Sequence, residues 1–271
     1  MDLGLTGKTA IVTGGSAGIG LACAAALHSE GVSVVIVARG SDRLHESARS
    51  IAAGSRARLE AGVRPAGVFP ISGDVSRSDD VMRIVSTARE QLGRIDILVN
   101  CAGAARAGAF LDLGDEAYLD AWTLKLLGYI RMVRAVVPAM IEQRDGRIVN
   151  IVGAAARTPD STFLAGSTAN AALLNFTRGS SRFLARHNIR INAISPGFTA
   201  TERAERLAAQ HAAANGTTVE EAKTQMAQAI PMGHLVDPAE IAAATLLSVS
   251  DCVKSMTGAE ILIDGGQTPG V

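Results

Sequence analysis

The stretch that most limits how this chain can fold is residues 9–30. A short β-branched apolar run, TAIVT at 9–13, breaks into Gly14-Gly15-Ser16-Ala17-Gly18-Ile19-Gly20, and an Ala-rich helical pattern follows over 21–30. Apolar strand, glycine loop and helix in direct succession is the setting in which such a loop binds a dinucleotide. Glycine keeps the turn tight and lets a pyrophosphate approach backbone N–H groups at the helix N-terminus. The same loop also suits a plain strand-to-helix turn, and its spacing, Gly14-x3-Gly18-x-Gly20, differs from the commoner GxGxxG.

The rest of the chain repeats the alternation. Strands are expected at 32–38 (VSVVIVA), 68–72, 94–100 (RIDILVN), 146–152 (GRIVNIV), 188–195 (NIRINAIS) and 259–263. Helices are expected at 41–59, 79–92, 115–140, 163–187 and 237–249, the last with Asp237 as N-cap and Pro238 at its first position. Almost wholly apolar strands suit a parallel sheet buried on both faces. The expected architecture is therefore α/β: a Rossmann-like, doubly wound parallel sheet of about seven strands in three α/β/α layers. No internal boundary divides residues 1–271, which are read as one domain with a helical insertion at 201–228 that breaks at Asn215-Gly216.

Ligands of such sheets sit beyond the carboxyl ends of the strands. Arg39 follows the second strand, where an acid would accept from a ribose 2′-hydroxyl and favour NAD; Arg43 lies a helical turn beyond. A guanidinium forks onto a 2′-phosphate, so NADP(H) is favoured over NAD(H), against the plainer reading of Arg39 as a solvated loop charge. Asp74 follows the third strand, placed to accept from an adenine amino group, and Asn100 ends the fourth, before Cys101-Ala102-Gly103.

Composition narrows the class of partner. Lys+Arg and Asp+Glu both number 26, so no basic excess points to nucleic acid or an anionic membrane, and a small-molecule substrate is expected. Cys23, Cys101 and Cys252 are widely spaced, show no metal-ligand pattern and read as reduced thiols of a cytoplasmic protein. No metal site is expected. The first residues, MDLGLTGKTAIVTGG, lack a basic region followed by a long apolar run, and no apolar run nears the roughly 20 residues of a membrane span.

Together these motifs resemble the short-chain dehydrogenase/reductase family over essentially the whole chain. Thr13-Gly14-Gly15-Ser16-Ala17-Gly18-Ile19-Gly20 looks like its TGxxxGxG cofactor loop, Asp74-Val75 like its adenine-contacting pair, and Asn100-Cys101-Ala102-Gly103 like its NNAG motif with one Asn replaced. The strand ending at Pro196-Gly197, the hydroxyl of Thr201 and the run from Met256-Thr257-Gly258 to Asp264-Gly265-Gly266 match further family features; the β-ketoacyl-carrier-protein reductase-like branch is the nearest in look. The resemblance implies an NADP(H)-dependent oxidoreductase acting on a carbonyl or hydroxyl, with a 3-oxoacyl type as one candidate. It also implies a homo-oligomer, tetramer or dimer, packed through the helices around 115–140 and 163–187.

The family mechanism uses a tyrosine to deliver the proton, a lysine to depress its pKa and hold ribose hydroxyls, a serine on the carbonyl oxygen and a helix asparagine that holds a relay water. Those positions here are Gly166, Asn170, Gly153 and Lys125. The alternative Tyr-x6-Lys register gives Phe163, a ring without a hydroxyl. Lys125, Gly128, Tyr129 and Met132 share one helix face, so Lys125 either enters the pocket or snorkels to solvent. A Tyr129 acid activated by Lys125 is conceivable, with core packing as the commoner role of such a tyrosine. Ser161, Thr162, Ser167 and Thr168 are local hydroxyls with turn and helix-start roles as their simpler explanation, and His234 stands beyond the insertion.

Two readings follow: an oxidoreductase with a rearranged site, degenerate in its Ser-Tyr-Lys set, or a non-catalytic dinucleotide-binding or structural member. Residues 201–228 occupy the place of the family's substrate lid. Asn170 is expected to touch the cofactor along with Gly14, Ser16, Gly18, Ile19, Gly20, Arg39, Asp74, Val75, Asn100, Ala102, Gly103, Pro196, Gly197 and Thr201.

Overall fold

The computed structural model describes residues 2–54 and 66–269. Seven parallel strands form one sheet in the order β3-β2-β1-β4-β5-β6-β7. They are β1 (Thr9–Thr13), β2 (Ser33–Ala38), β3 (Val68–Ser72), β4 (Ile97–Asn100), β5 (Gly146–Ile151), β6 (Ile189–Pro196) and β7 (Glu260–Ile263). β1, β5 and β6 are buried along their whole length, as parallel strands covered on both faces must be. Pro70 lies in β3, an edge strand, where its missing N–H breaks no ladder.

Helices cover both faces. On one, α1 (Gly18–Ser29), α2 (Ser41–Gly54) and α9 (Pro238–Val249) bring Cys23, Leu27, Leu44, Ile51 and Ile241 onto Val12, Ile36, Val99 and Ile194. On the other, α3 (Ser78–Leu92), α5 (Gly128–Gln143) and α6 (Leu164–Ala185) bring Ile84, Met132, Val136 and Leu184 onto Ile11, Val35, Leu98 and Ile191. Small aliphatic side chains let these layers approach closely: a Cβ on Gly128 would lie 3.1 Å from Val75 Cγ2. α9 begins as its sequence predicts, with Asp237 accepting from Ala239 N at 2.8 Å and Glu240 returning to Asp237 N at 2.9 Å.

Element ends differ from the sequence expectation at instructive places. β4 begins at Ile97 rather than Arg94, because the Asp96 carboxylate is used to tie down β1: it accepts from Thr9 N at 2.9 Å and also pairs with Arg94. The helix expected at 41–59 is described as far as Gly54; its remainder lies outside the described residues. The helix expected at 115–140 is interrupted. α4 (Asp115–Ala121) passes into a wider π-helical stretch, Trp122–Leu127, and then into α5. The insertion comprises α7 (Glu202–Asn215) and α8 (Val219–Gln228), joined at Gly216 in the left-handed region and packed on each other through Ala208, Ala212, Ala222 and Met226. Among the described residues no helix is long and apolar enough to cross a membrane.

Candidate active site

From β1 the sheet is extended one way by β2 and β3 and the other way by β4 to β7, and the crevice beyond the parallel strand ends opens at that switch between β1 and β4. Thr13 Oγ1 holds the two ends together by accepting from the amides of Cys101 and Ala102 at 3.0 and 3.2 Å. Gly14, at φ +70°, lies so close that an added Cβ would be 2.9 Å from Ala102 N, and a Cβ on Gly20 would strike the Gly14 carbonyl. The residue before α1, Ala17, supplies no side-chain cap, so the first-turn amides of Gly18, Ile19 and Gly20 are left for a ligand. A loop with this cradle fits a dinucleotide pyrophosphate.

Around it stand the other expected contacts. Arg39 is exposed past β2; Arg43 is already engaged, donating to the Ser16 carbonyl at 3.1 Å and pairing with Glu202. One Asp74 carboxylate oxygen accepts from Ser76 N at 2.9 Å, fixing the loop after β3, and Val75 is buried beneath it. Gly197 donates to the Ile263 carbonyl at 2.8 Å where the chain leaves Pro196, and the Thr201 methyl packs over Gly18, 3.2 Å from an added Cβ.

Asn100 ends β4. Its side chain is wholly buried and donates to Asn150 Oδ1 at 3.0 Å; Asn150 donates in turn to Thr177 Oγ1 at 2.9 Å. The Asn100 amide ties the ends of β4 and β5 together, and its Oδ1 has no partner among the described residues. Nothing in local spacing marks Thr177 as the partner of Asn150, since the contact spans β4, β5 and α6.

The chemical end of the crevice is built by α5's π-helical lead-in, the end of β5 and the start of α6. Lys125 turns inward. Its stem lies over Gly103, where an added Cβ would be 3.2 Å from Lys125 Cδ, and its ammonium donates to the Val152 carbonyl. Burial lowers its pKa from 10.5 to about 8; the nearby Cys101 opposes that shift and the charge of Arg203 adds to it. The Cys101 thiol itself is pushed far up by burial, so it stays protonated.

Gly153, Gly166 and Asn170 lie close by, among tightly packed neighbours. Gly153 adopts φ +132°, a conformation closed to serine without strain, and an added Cβ would sit 2.9 Å from Asn170 Nδ2. Asn170 is buried and its Oδ1 has no partner among the described residues. At Gly166 a Cβ would fall inside the Phe163 ring, which occupies the room a side chain would need. Arg203 of α7 lies 5.4 Å from the centroid of that ring. Sequence spacing names Phe163 as the alternative register residue, but neither its placement over Gly166 nor the approach of Arg203 has a local signal.

The remaining candidate groups are engaged elsewhere. Tyr129 is fully buried among Val152, Leu173, Leu174 and Ala193, and donates to the Ile151 carbonyl at 3.0 Å. Burial pushes its pKa well above 10, and it makes no hydrogen bond to Lys125. The expected Lys125–Tyr129 pair is therefore not assembled: the two donate side by side to successive carbonyls at the end of β5. Thr162 bonds Asp160, Ser167 and Thr168 bond the Leu164 carbonyl, and Ser161 is exposed. His234 is exposed and faces the Leu235 carbonyl. No cluster of three or more potential metal ligands occurs among the described residues.

This crevice, with its glycine cradle and reversed strand order, has the form of a nucleotide-dependent oxidoreductase. Residues 8–212 match the model of the short chain dehydrogenase family, and the chain belongs to that family. It is 36% identical to oxidoreductase UcpA of Salmonella typhimurium, over 97% of this chain and 95% of that one. L-sorbose reductase from Gluconobacter frateurii, solved with NADPH and L-sorbose, superposes over the whole of both chains with a TM-score of 0.92 at 31% identity. Actinorhodin polyketide ketoreductase with NADPH gives a TM-score of 0.89 at 29% identity, over 97% of this chain and 98% of that one.

Proposed function

We propose that this protein is an NADP(H)-dependent carbonyl reductase whose proton donor is Lys125 in place of a tyrosine. The observation that carries the reading is the inward Lys125 ammonium, held on the Val152 carbonyl with its pKa lowered to about 8. An acid works best when its pKa lies near the working pH, and an ordinary lysine at 10.5 is far from it. When bound, the reduced nicotinamide would supply a hydride to the carbonyl carbon. Lys125 gives its proton to the carbonyl oxygen and is reprotonated from water. Gly14, Gly18 and Gly20 hold the pyrophosphate, and the exposed Arg39 meets the 2′-phosphate. The orphan Asn170 Oδ1 accepts from a ribose hydroxyl, a duty that needs no charge. The family's Ser-Tyr-Lys set is absent at Gly153, Gly166 and Asn170, so positioning and one cation carry the step. The NADPH in the neighbouring reductases and the exposed Arg39 past β2 support the cofactor choice.

Turnover with NADPH and a panel of ketones and β-ketoesters tests this. In the reduction direction kcat should be level below pH 8 and fall above it as Lys125 loses its proton. The neighbouring Cys101 stays neutral across that range and Arg203 stays charged. Lys125→Met should lower kcat by roughly 10²–10⁴-fold and erase the pH step. NADPH binding with no turnover on any carbonyl would instead favour a non-catalytic dinucleotide-binding member, the reading supported by the full engagement of Tyr129, Thr162, Ser167 and Thr168. We further propose a homo-oligomer packed through α4, α5 and α6, supported by the exposed Leu119, Trp122, Leu127 and Phe183. The α7–α8 insertion is proposed as the substrate cover, since the residue that opens it, Thr201, lies against Gly18.

A further inference from the structure

The start of α7 brings a second cation to the crevice that holds Lys125. Thr201 rests on Gly18 of the nucleotide loop, and two residues later the Arg203 guanidinium stands over the Phe163 ring at 5.4 Å, a cation–π distance. Phe163 itself covers Gly166 at the first turn of α6. Lys125 and Arg203 are near enough for their charges to repel. Neither pairs with a carboxylate among the described residues, and the acids around α7 are engaged with other partners. Glu202 pairs with Arg43 and Arg206, and Glu205 with Lys223, while Asp160 accepts from Thr162.

A guanidinium over an aromatic ring, an ammonium within reach of its charge and no carboxylate paired with either form a field suited to an anion. Their chemistry differs in a useful way. The guanidinium is a planar fork that matches a carboxylate and is steadied by the ring beneath it; the ammonium is a point donor that suits a single oxygen.

We propose that this crevice takes small oxo acids, with the carboxylate on Arg203, the carbonyl oxygen on Lys125 and the carbon skeleton against Phe163. The assignment of the carbonyl to Lys125 rests on the reductase reading; the carboxylate anchor does not. In the reaction Lys125 gives its proton to the carbonyl oxygen, and a bound reduced nicotinamide would supply the hydride to the carbonyl carbon. The product is a hydroxy acid with its carboxylate unchanged.

Calorimetric titration of the NADP⁺-loaded protein, where no reduction can occur, tests the anchor. The probes are 2-oxobutanoate, 3-oxobutanoate and 4-oxopentanoate, each against its methyl ester. At least one acid should bind about ten-fold or more tightly than its ester, as a lost charge-assisted hydrogen bond implies. In Arg203→Met that preference should fall below about three-fold with NADP⁺ affinity unchanged. Should that variant misfold, Arg203→Gln is held to the same criterion. Equal binding of acid and ester by the unaltered protein would overturn the proposal. So would a loss of NADP⁺ affinity in the Arg203 variants with acid preference intact, which assigns Arg203 to the cofactor, or sulfate competing as well as the best acid, which reduces the site to a general anion trap. Arg203-dependent acid binding with no NADPH oxidation leaves the anchor standing and sinks the reductase reading alone. If NADP⁺ does not bind, the cofactor reading fails first, and acid and ester are compared on the unloaded protein by the same criteria.

Discussion

The two ends of the crevice both lack side chains, for opposite reasons. At Gly14 and Gly20 the chain's own backbone leaves no room for a Cβ, and the bare loop stays open to a ligand. At Gly153 and Gly166 the space is already taken by neighbours: Asn170 faces Gly153 and the Phe163 ring fills the space over Gly166. The glycine-loop end is open, whereas the other end is filled by Lys125, Phe163 and Asn170.

The sharpest way to break this contrast is at the cofactor end. Gly14→Ala must place a Cβ 2.9 Å from a backbone amide at φ +70°, and a left-handed alanine costs about 1–2 kcal/mol before any clash. The loop must shift, and NADPH affinity by fluorescence titration should fall roughly 100-fold, as misplacements near 1 Å do elsewhere. Unchanged affinity would mean that the loop does not meet the pyrophosphate.

At the chemical end the largest effect belongs to Lys125. A folded-state pKa near 8 against 10.5 means the folded chain holds this proton less tightly than the unfolded one. The penalty is complete below pH 8, shrinks as pH rises to 10.5 and vanishes above. Lys125→Met removes that penalty but strands the Val152 carbonyl, so it should be more stable than the unaltered protein by roughly 1–2 kcal/mol at pH 7. Urea unfolding should show that gain declining between pH 8 and 10.5. A variant less stable at pH 7 would show that the ammonium is well solvated.

Restoring a tyrosine should fail for a reason specific to this chain. Gly166→Tyr collides with the Phe163 ring and should cost about 1–3 kcal/mol as an overpacked site. Adding Phe163→Ala should recover most of that loss, a strongly non-additive pair in a double-mutant cycle. Additive effects would mean that the ring moves aside freely.

How much of this was legible without coordinates follows from the range of each interaction. Strand and helix order, the cap at Asp237, the break at Gly216 and the glycine loop are local and could be read. That Gly153, Gly166 and Asn170 stand at the proposed Ser, Tyr and Lys positions rests on the Ala-Ala-Leu run that follows and sets the register. What took their place was not legible. Phe163 over Gly166 is a rotamer outcome, Asn100 to Asn150 to Thr177 links three elements, and Arg203 reaches the crevice only because α7 folds back over Gly18. The π-helical stretch at Trp122–Leu127 left no mark in a pattern that reads as one helix from 115 to 140.

The smallest predicted effect separates the two donors on α5's leading face. Lys125 and Tyr129 donate to adjacent carbonyls at the end of β5, Val152 and Ile151, yet only Lys125 borders the crevice; Tyr129 is sealed under Leu173 and Leu174. Tyr129→Phe removes one buried hydrogen bond and strands the Ile151 carbonyl, which should cost about 1–2 kcal/mol of stability by urea unfolding. Turnover with NADPH should stay within about two-fold of the unaltered protein, because the hydroxyl is not there to give a proton and its pKa is pushed up by burial. If turnover instead dropped by about 100-fold or more with the fold intact, as loss of a general acid does, the proton would return to Tyr129 and Lys125 would become its activating cation.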